Sequence, residues 1–259
     1  MATTDRLAAS RLHALDAGRT GRRNLRKIFS EVRRKGVSAA LHDLSLKAVN
    51  AVVLFKILRG VFIERFDPAF LISPERYTPL FLPAETIRNF ARDPENGMPE
   101  DFLAEALSKG DECFGFLDGE RLAAYGWYSF TPTRIDPADL LLRFGGDYVY
   151  MYKGFTHPRY RGQRLHAIGM TMALREYLSK GRKGLVSYVE SNNFDSLKSC
   201  HRMGYAEFGS VYVMKLLGRY FTYSSRGCRR FGFRVEPILL RPAGLDRLTG
   251  RRVPRSPGR

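Results

Sequence analysis

The chain has little cysteine, a single tryptophan, no long uninterrupted apolar run and few acidic residues at either end. Its three cysteines, Cys113, Cys200 and Cys228, form no Cys-x-x-Cys pair, and no histidine cluster has the spacing of a zinc site. Neither a disulfide framework nor a structural metal is therefore expected, and free thiols fit a reduced, cytoplasmic setting. The most apolar stretch, residues 48–63, is interrupted by Asn50, Lys56, Arg59 and Gly60. A bilayer span needs about 20 predominantly apolar residues and tolerates charge near its middle poorly, so a transmembrane helix is not expected. Residues 1–36 are polar throughout and lack the apolar core of a secretory signal.

What is abundant is basic charge, and its placement is uneven. Residues 1–36 carry 10 Lys+Arg against 3 Asp+Glu, a net +7, and residues 219–259 carry 11 against 2, a net +9. The intervening 37–218 hold 22 against 21. A nearly neutral globular region thus lies between two basic segments that attract any polyanion, whether anionic lipid, nucleic acid or an acidic protein.

Four regions follow: a basic, flexible segment over 1–36; an apolar helix and strand extension over 37–76; a domain over 77–217; and a basic strand and disordered tail over 218–259. The apolar extension reads either as a helix packed on the domain, followed by a strand over 61–66, or as a helix lying in a membrane surface at the inner face of the bilayer. Within the domain, 77–82 reads as a strand, and Pro83 and Pro99 open helices that end near Arg92 and Ser108. Asp118-Gly119 between two apolar runs specifies a hairpin. The loop over 131–146 has the proline and glycine content of a substrate-bordering connection. Residues 148–155 alternate as a strand with Tyr148, Tyr150 and Tyr152 on one face. A helix to about Gly181, a buried strand over 185–189, a helix over 195–203 and a strand over 205–217 complete a mixed α/β sheet flanked by helices.

Two features of this domain carry chemistry. The first is the strand-to-helix turn at 156–165, whose Arg-x-x-Gly-x-Arg core (residues 159–164) offers backbone N–H groups and a helix N-terminus to phosphate oxygens. The second is the stretch over 189–208, with Asn193, Ser196, Gly204 and Tyr205 at fixed spacing. Together they resemble the GNAT superfamily of acyl-CoA-dependent N-acyltransferases. Pro158, Arg159, Tyr160, Arg161 and Gly162 match that family's nucleotide-binding turn, and Asn193 through Tyr205 match its later helix. The resemblance covers about 77–217 and departs at two positions: Arg164 stands where the turn has Gly or Ala, and Cys200 stands at the aromatic general-acid position.

The resemblance implies a GNAT-like central mixed β-sheet with an N-terminal helical extension. It also implies direct attack of an amine, from a small molecule or a protein, on an acetyl-CoA or longer acyl-CoA thioester, with no metal. The donor would lie against Phe155, Thr156, Arg159, Arg161, Gly162, Gln163, Arg164, Leu165, Asn193 and Ser196, with a backbone N–H near Phe155 or Thr156 polarising the carbonyl. Cys200 is the candidate proton donor to the leaving thiolate and Glu190 the candidate base, each set against a plain packing or solvated role. His157 and His166, which flank the turn, read as local hydrogen-bonding or phosphate-edge residues. Two other readings stay open: a donor on an acyl carrier protein or aminoacyl-tRNA, and a non-catalytic membrane-surface or nucleic-acid-binding protein on the same scaffold.

Overall fold

Asp118 and Gly119 place a tight turn between two apolar runs, and those runs form β3 (Glu112–Asp118) and β4 (Arg121–Ser129), paired antiparallel. Pro83 and Pro99 precede α2 (Ala84–Ala91) and α3 (Glu100–Ser108), where a missing N–H costs nothing. In this computed structural model residues 36–50, 53–137 and 139–238 are described. The expectations for 1–35 and for the tail from 239 onward lie outside them.

The remaining elements are α1 (Val37–Asn50), β1 (Leu54–Ile63), β2 (Thr78–Phe81), β5 (Thr133–Ile135), β6 (Leu140–Arg143), β7 (Tyr148–Thr156) and α4 (Leu165–Ser179). They are followed by β8 (Gly184–Glu190), α5 (Phe194–Arg202), β9 (Ala206–Leu216), β10 (Arg219–Ser224) and β11 (Arg234–Pro237). Eight strands form one mixed sheet in the order β10-β9-β1-β8-β7-β4-β3-β2, and β11-β6-β5 form a second. Among the described residues only β7 and β8 pair in parallel. The mixed sheet flanked by helices is the architecture expected from the sequence.

Near the start the expected helix and strand are both present, but the strand begins earlier than expected. The helix stops at Asn50, whose side chain accepts from the Phe55 N–H at 2.6 Å and donates to the Phe55 carbonyl at 2.8 Å. The chain then enters β1, seven residues before the expected strand start at 61, and this strand lies inside the sheet, paired with β8 on one side and β9 on the other. A strand covered on both faces is apolar at successive positions, so its pattern cannot be told from that of a buried helix. No helix among the described residues is long and apolar enough to cross a membrane.

The loop expected over 131–146 also contains structure: its Leu140 and Leu142 are fully buried on β6, which pairs with β5 on one side and on the other with β11, part of the segment expected as a terminal strand. One face of the large sheet packs Val149, Met151 and Leu185 beneath Leu165, Ala173 and Leu174 of α4. The opposite face packs Tyr150, Val186 and Val211 beneath the small sheet, and Tyr125 and Trp127 beneath α2 and α3. Leu185 and Val186 are fully buried on opposite faces, and each contributes about 1.5–3 kcal/mol of transfer free energy. They hold β8 at the centre, against which the site opens.

Candidate functional site

The parallel strands β7 and β8 are paired only at Tyr148–Gly184, Val149–Leu185 and Tyr150–Val186. Past that point each follows its other neighbour, β4 for β7 and β1 for β8, so a gap opens between their C-terminal halves. The Ser187 hydroxyl, donating to the Met151 carbonyl at 2.7 Å, marks its start. A bulge in the β4–β7 pairing falls at the same level, leaving Tyr152 as the extra residue between Met151 and Lys153. Such a bulge re-aims the strand that carries it. Gly154 is exposed although it lies within a strand, as the gap requires.

Backbone polarity in the gap follows from alternation. The His157 N–H donates to the Ala123 carbonyl on β4, so Phe155 also faces β4 while Gly154 and Thr156 face the gap. Of the two residues expected to polarise a carbonyl, Thr156 is the one whose N–H points into the gap. Phe155 instead stacks its ring on Tyr125, with centroids 5.3 Å apart.

The turn between β7 and α4 begins with Pro158 in a short 3-10 segment capped by His157, whose Nδ1 accepts from the Arg159 N–H at 3.3 Å. Gly162 has φ +81° and Arg164 φ +59°, both left-handed. Arg164 is the N-cap of α4 and makes no side-chain cap. The N–H groups of Leu165, His166 and Ala167 consequently have no acceptor among the described residues, since the first helical bond is Ile168 N–H to Arg164 carbonyl. Arg159, Arg161 and Arg164 are exposed beside them.

Side chains from distant segments brace this turn. Tyr160 donates to Asp118 at 2.9 Å, and Arg76 forms a forked pair with the same carboxylate. The hydrogen bond from Arg76, then that from Tyr160, holds the Asp118 carboxyl below the usual carboxylate range. Tyr77 donates to the Gln163 Oε1 at 2.5 Å. The Gln163 side chain is thus engaged in holding the turn, leaving its backbone available to a ligand. His157 meets Glu95 at 3.2 Å, the local role expected of it. His166 differs: its imidazole has no hydrogen-bond partner among the described residues and lies over Gly154, where an added Cβ would stand 2.2 Å from the ring. Burial lowers its pKa.

On the α4 and α5 side of the sheet, Asn193 caps α5 by accepting the Ser196 N–H at 3.2 Å, which commits its side-chain oxygen to the helix. Cys200 is half-buried on α5 and packs against the core that contains Met203 and Tyr205. Burial first, and Glu207 second, push its thiol up to about 11, so it remains protonated at neutral pH. The Tyr205 hydroxyl nearby is buried without a partner among the described residues.

Glu190 belongs to the other side. It ends β8 on the face that carries Val186 and Tyr188, and it accepts from Lys56 at 2.9 Å. Lys56 also meets Asp136 at 2.7 Å. Burial opposes the charge on Lys56, but the bonds to Asp136 and Glu190 outweigh it and raise its pKa. The two candidate catalytic residues thus stand on opposite faces of the sheet.

Beside Lys56 lies a cavity of about 260 Å³ whose lining includes Phe102, Glu105, Lys109, Asp136 and Tyr152. Beneath it Asp111, with a fully buried side chain, accepts from Ser129 at 2.7 Å and Tyr152 at 2.9 Å and pairs with Lys109 at 3.0 Å. The sequence reading missed Lys56, Lys109, Asp111 and Asp136 as site residues. Lys56 did carry a signal, a cation inside an apolar run. Lys109 and Asp111 carried none, because Lys-Gly-Asp after a helix reads simply as its stop.

No family model and no curated protein match the chain. Solved structures do. A protein assigned to the GNAT acetyltransferase family from Novosphingobium aromaticivorans matches with a TM-score of 0.46 and 13% identity, over 62% of this chain and 64% of that one. An acetyltransferase of the GNAT family from Colwellia psychrerythraea matches with a TM-score of 0.42 and 16% identity, over 71% of this chain and 62% of that one. An aminoglycoside N-acetyltransferase in complex with CoA matches with a TM-score of 0.39 and 16% identity, over 51% of this chain and 91% of that one. The chain spans less than two thirds of the length of the first two.

Proposed function

We propose that the chain is a GNAT-type acyltransferase that moves an acyl group from acyl-CoA to an amine. The observation that carries this reading is the gap between β7 and β8, with an uncapped helix N-terminus where β7 leads into α4 and a cavity lined by Tyr152 of β7 on the far face. The donor pyrophosphate sits on the N–H groups of residues 162–167, with Arg161 and Arg164 adding charge-assisted bonds. Its thioester enters the gap, and the carbonyl oxygen meets a backbone N–H of Gly154 or Thr156.

The acceptor amine comes from the cavity side. Its nitrogen attacks the thioester carbon, the C–S bond breaks and the acyl C–N bond forms. The amine proton passes to Glu190 once Lys56 shifts toward Asp136, and Cys200, still protonated, supplies the proton for the CoA thiolate. No step needs a metal.

Calorimetric titration with CoA, together with release of free thiol from acetyl-CoA and longer acyl-CoAs in the presence of amines, tests the reading. Micromolar CoA binding that weakens in Arg161→Ala supports it. A lack of CoA binding and of turnover with every thioester would overturn it. A carrier-borne donor is favoured instead if free CoA fails to bind while an acyl carrier protein or aminoacyl-tRNA binds with steep salt dependence, as the three exposed arginines of the turn permit.

A further inference from the structure

Ten large apolar side chains are exposed among the described residues, and all except Ile72 lie on α1 or on β9, β10 and their connecting turn. On α1, Val37, Leu41 and Leu44 recur at helical spacing and form an outward stripe, with Leu41 61% exposed. The opposite side of that helix buries Asp43 and Leu46. This packed side meets the connection from β8 to α5, where His42 contacts Ser191 at 3.0 Å and the Phe194 ring.

On the sheet, Tyr212, Phe221 and Tyr223 alternate with Val211, Val213 and Tyr220, which face the small sheet. The exposed three therefore face the side occupied by α4 and α5. Phe221 is 52% and Tyr223 67% exposed. On this face α1 packs against β1, the strand next to β9, and contacts the start of α5, so its outward stripe lies beside the exposed side chains of β9 and β10.

The charge around this face is positive. Lys198, Arg202 and Arg219 are exposed on it and join no ion pair among the described residues. Asp43 is paired with Lys47 at 2.7 Å, and Glu207 lies 3.4 Å from His201. Residues 1–36, with their net charge of +7, run directly into α1.

We propose that α1 and the exposed face of β9 and β10 form a docking surface for an anionic lipid bilayer. The combination distinguishes this occupant from others. Aliphatic side chains such as Leu41 and Leu44 gain nothing against a phosphodiester backbone, and a second copy would bring another +7 segment against the first. A bilayer surface accepts the apolar and aromatic groups at its acyl boundary and the cations at its headgroups. The proposal is independent of the acyltransferase reading.

Sedimentation of the full chain with vesicles of phosphatidylcholine alone, or of phosphatidylcholine with phosphatidylglycerol, tests it. Binding is expected to the anionic vesicles, to weaken with salt, and to fall at least ~tenfold in Leu41→Glu/Leu44→Glu and in Phe221→Glu/Tyr223→Glu. Both pairs replace exposed side chains, and unchanged circular dichroism and melting identify variants that remain folded. Lys198→Glu/Arg202→Glu, which leaves the apolar groups intact, is expected to lower binding several-fold in the same assay. Failure to bind anionic vesicles overturns the proposal, as does binding that both apolar pairs leave unchanged. It is also overturned if the lipid-free chain is a dimer abolished by Phe221→Glu/Tyr223→Glu, or if hydrogen exchange finds the face protected without lipid and exposed after deletion of residues 1–35.

Discussion

The two sides of the gap between β7 and β8 are assembled in opposite ways. The turn side is one continuous piece of chain, from Gly154 to Ala167, whose groups without an acceptor among the described residues are backbone N–H. The cavity side draws Lys56 from β1, Lys109 and Asp111 from the end of α3, Asp136 from the β5–β6 turn and Glu190 from β8. A backbone cradle needs correct φ and ψ values, which a few neighbouring residues can impose. A cluster of side chains needs the whole sheet in register before any two members meet.

Changes on the cavity side should consequently disturb the fold more than changes on the turn side. Asp111→Ala removes the shared acceptor of Lys109, Ser129 and Tyr152 and is expected to cost about 3–5 kcal/mol, measured by urea denaturation. A loss below about 1 kcal/mol would mean that the cluster is not a structural centre.

On the turn side, Gly154→Ala drives a Cβ against His166 and is expected to cost about 1–3 kcal/mol. His166→Ala in the same chain should recover most of that loss. A double-mutant cycle without coupling would break the assignment of this contact.

A smaller effect is expected at Arg164, whose φ of +59° costs a non-glycine residue about 1 kcal/mol. Arg164→Gly should raise thermal stability while weakening CoA binding several-fold, because it relieves the backbone and removes a cation together. Tighter CoA binding in this variant would show that the side chain obstructs the donor.

The smallest effects concern pH. Burial lowers the His166 pKa, so its contribution is complete above the ordinary histidine value of about 6.5 and is lost as pH falls through the lower value of the folded chain. His166→Gln should flatten the acid side of the stability profile. Cys200 has the opposite sign: with its thiol pushed up to about 11, stability is complete below the ordinary thiol value of ~8.5 and declines as pH rises toward 11. Cys200→Ser should remove that decline, and alkylation of Cys200 should remain slow at neutral pH.

These contrasts follow how much of the molecule was legible in its residues. Asp118-Gly119, Pro83 and Pro99 marked elements through local rules of turn and helix entry, and the alternation of Tyr148, Tyr150 and Tyr152 marked one face of β7. The turn at 159–164 was legible for the same reason, since its conformation is set within a few residues. The place of β1 was hidden because a strand covered on both faces loses its period, and β5, β6 and β11 are too short to carry one.

Sequence alone therefore determined the mixed α/β class, the uneven charge and the position of the turn between β7 and α4, all of which depend on composition or on neighbouring residues. Tertiary structure decided where the chain's first described strand inserts, that Glu190 and Cys200 stand on opposite faces, and that Lys56 meets Asp136, which with Lys109 lines one cavity. Those outcomes rest on pairings between residues as far apart as Lys56 and Glu190, and no local propensity specifies a pairing over that distance.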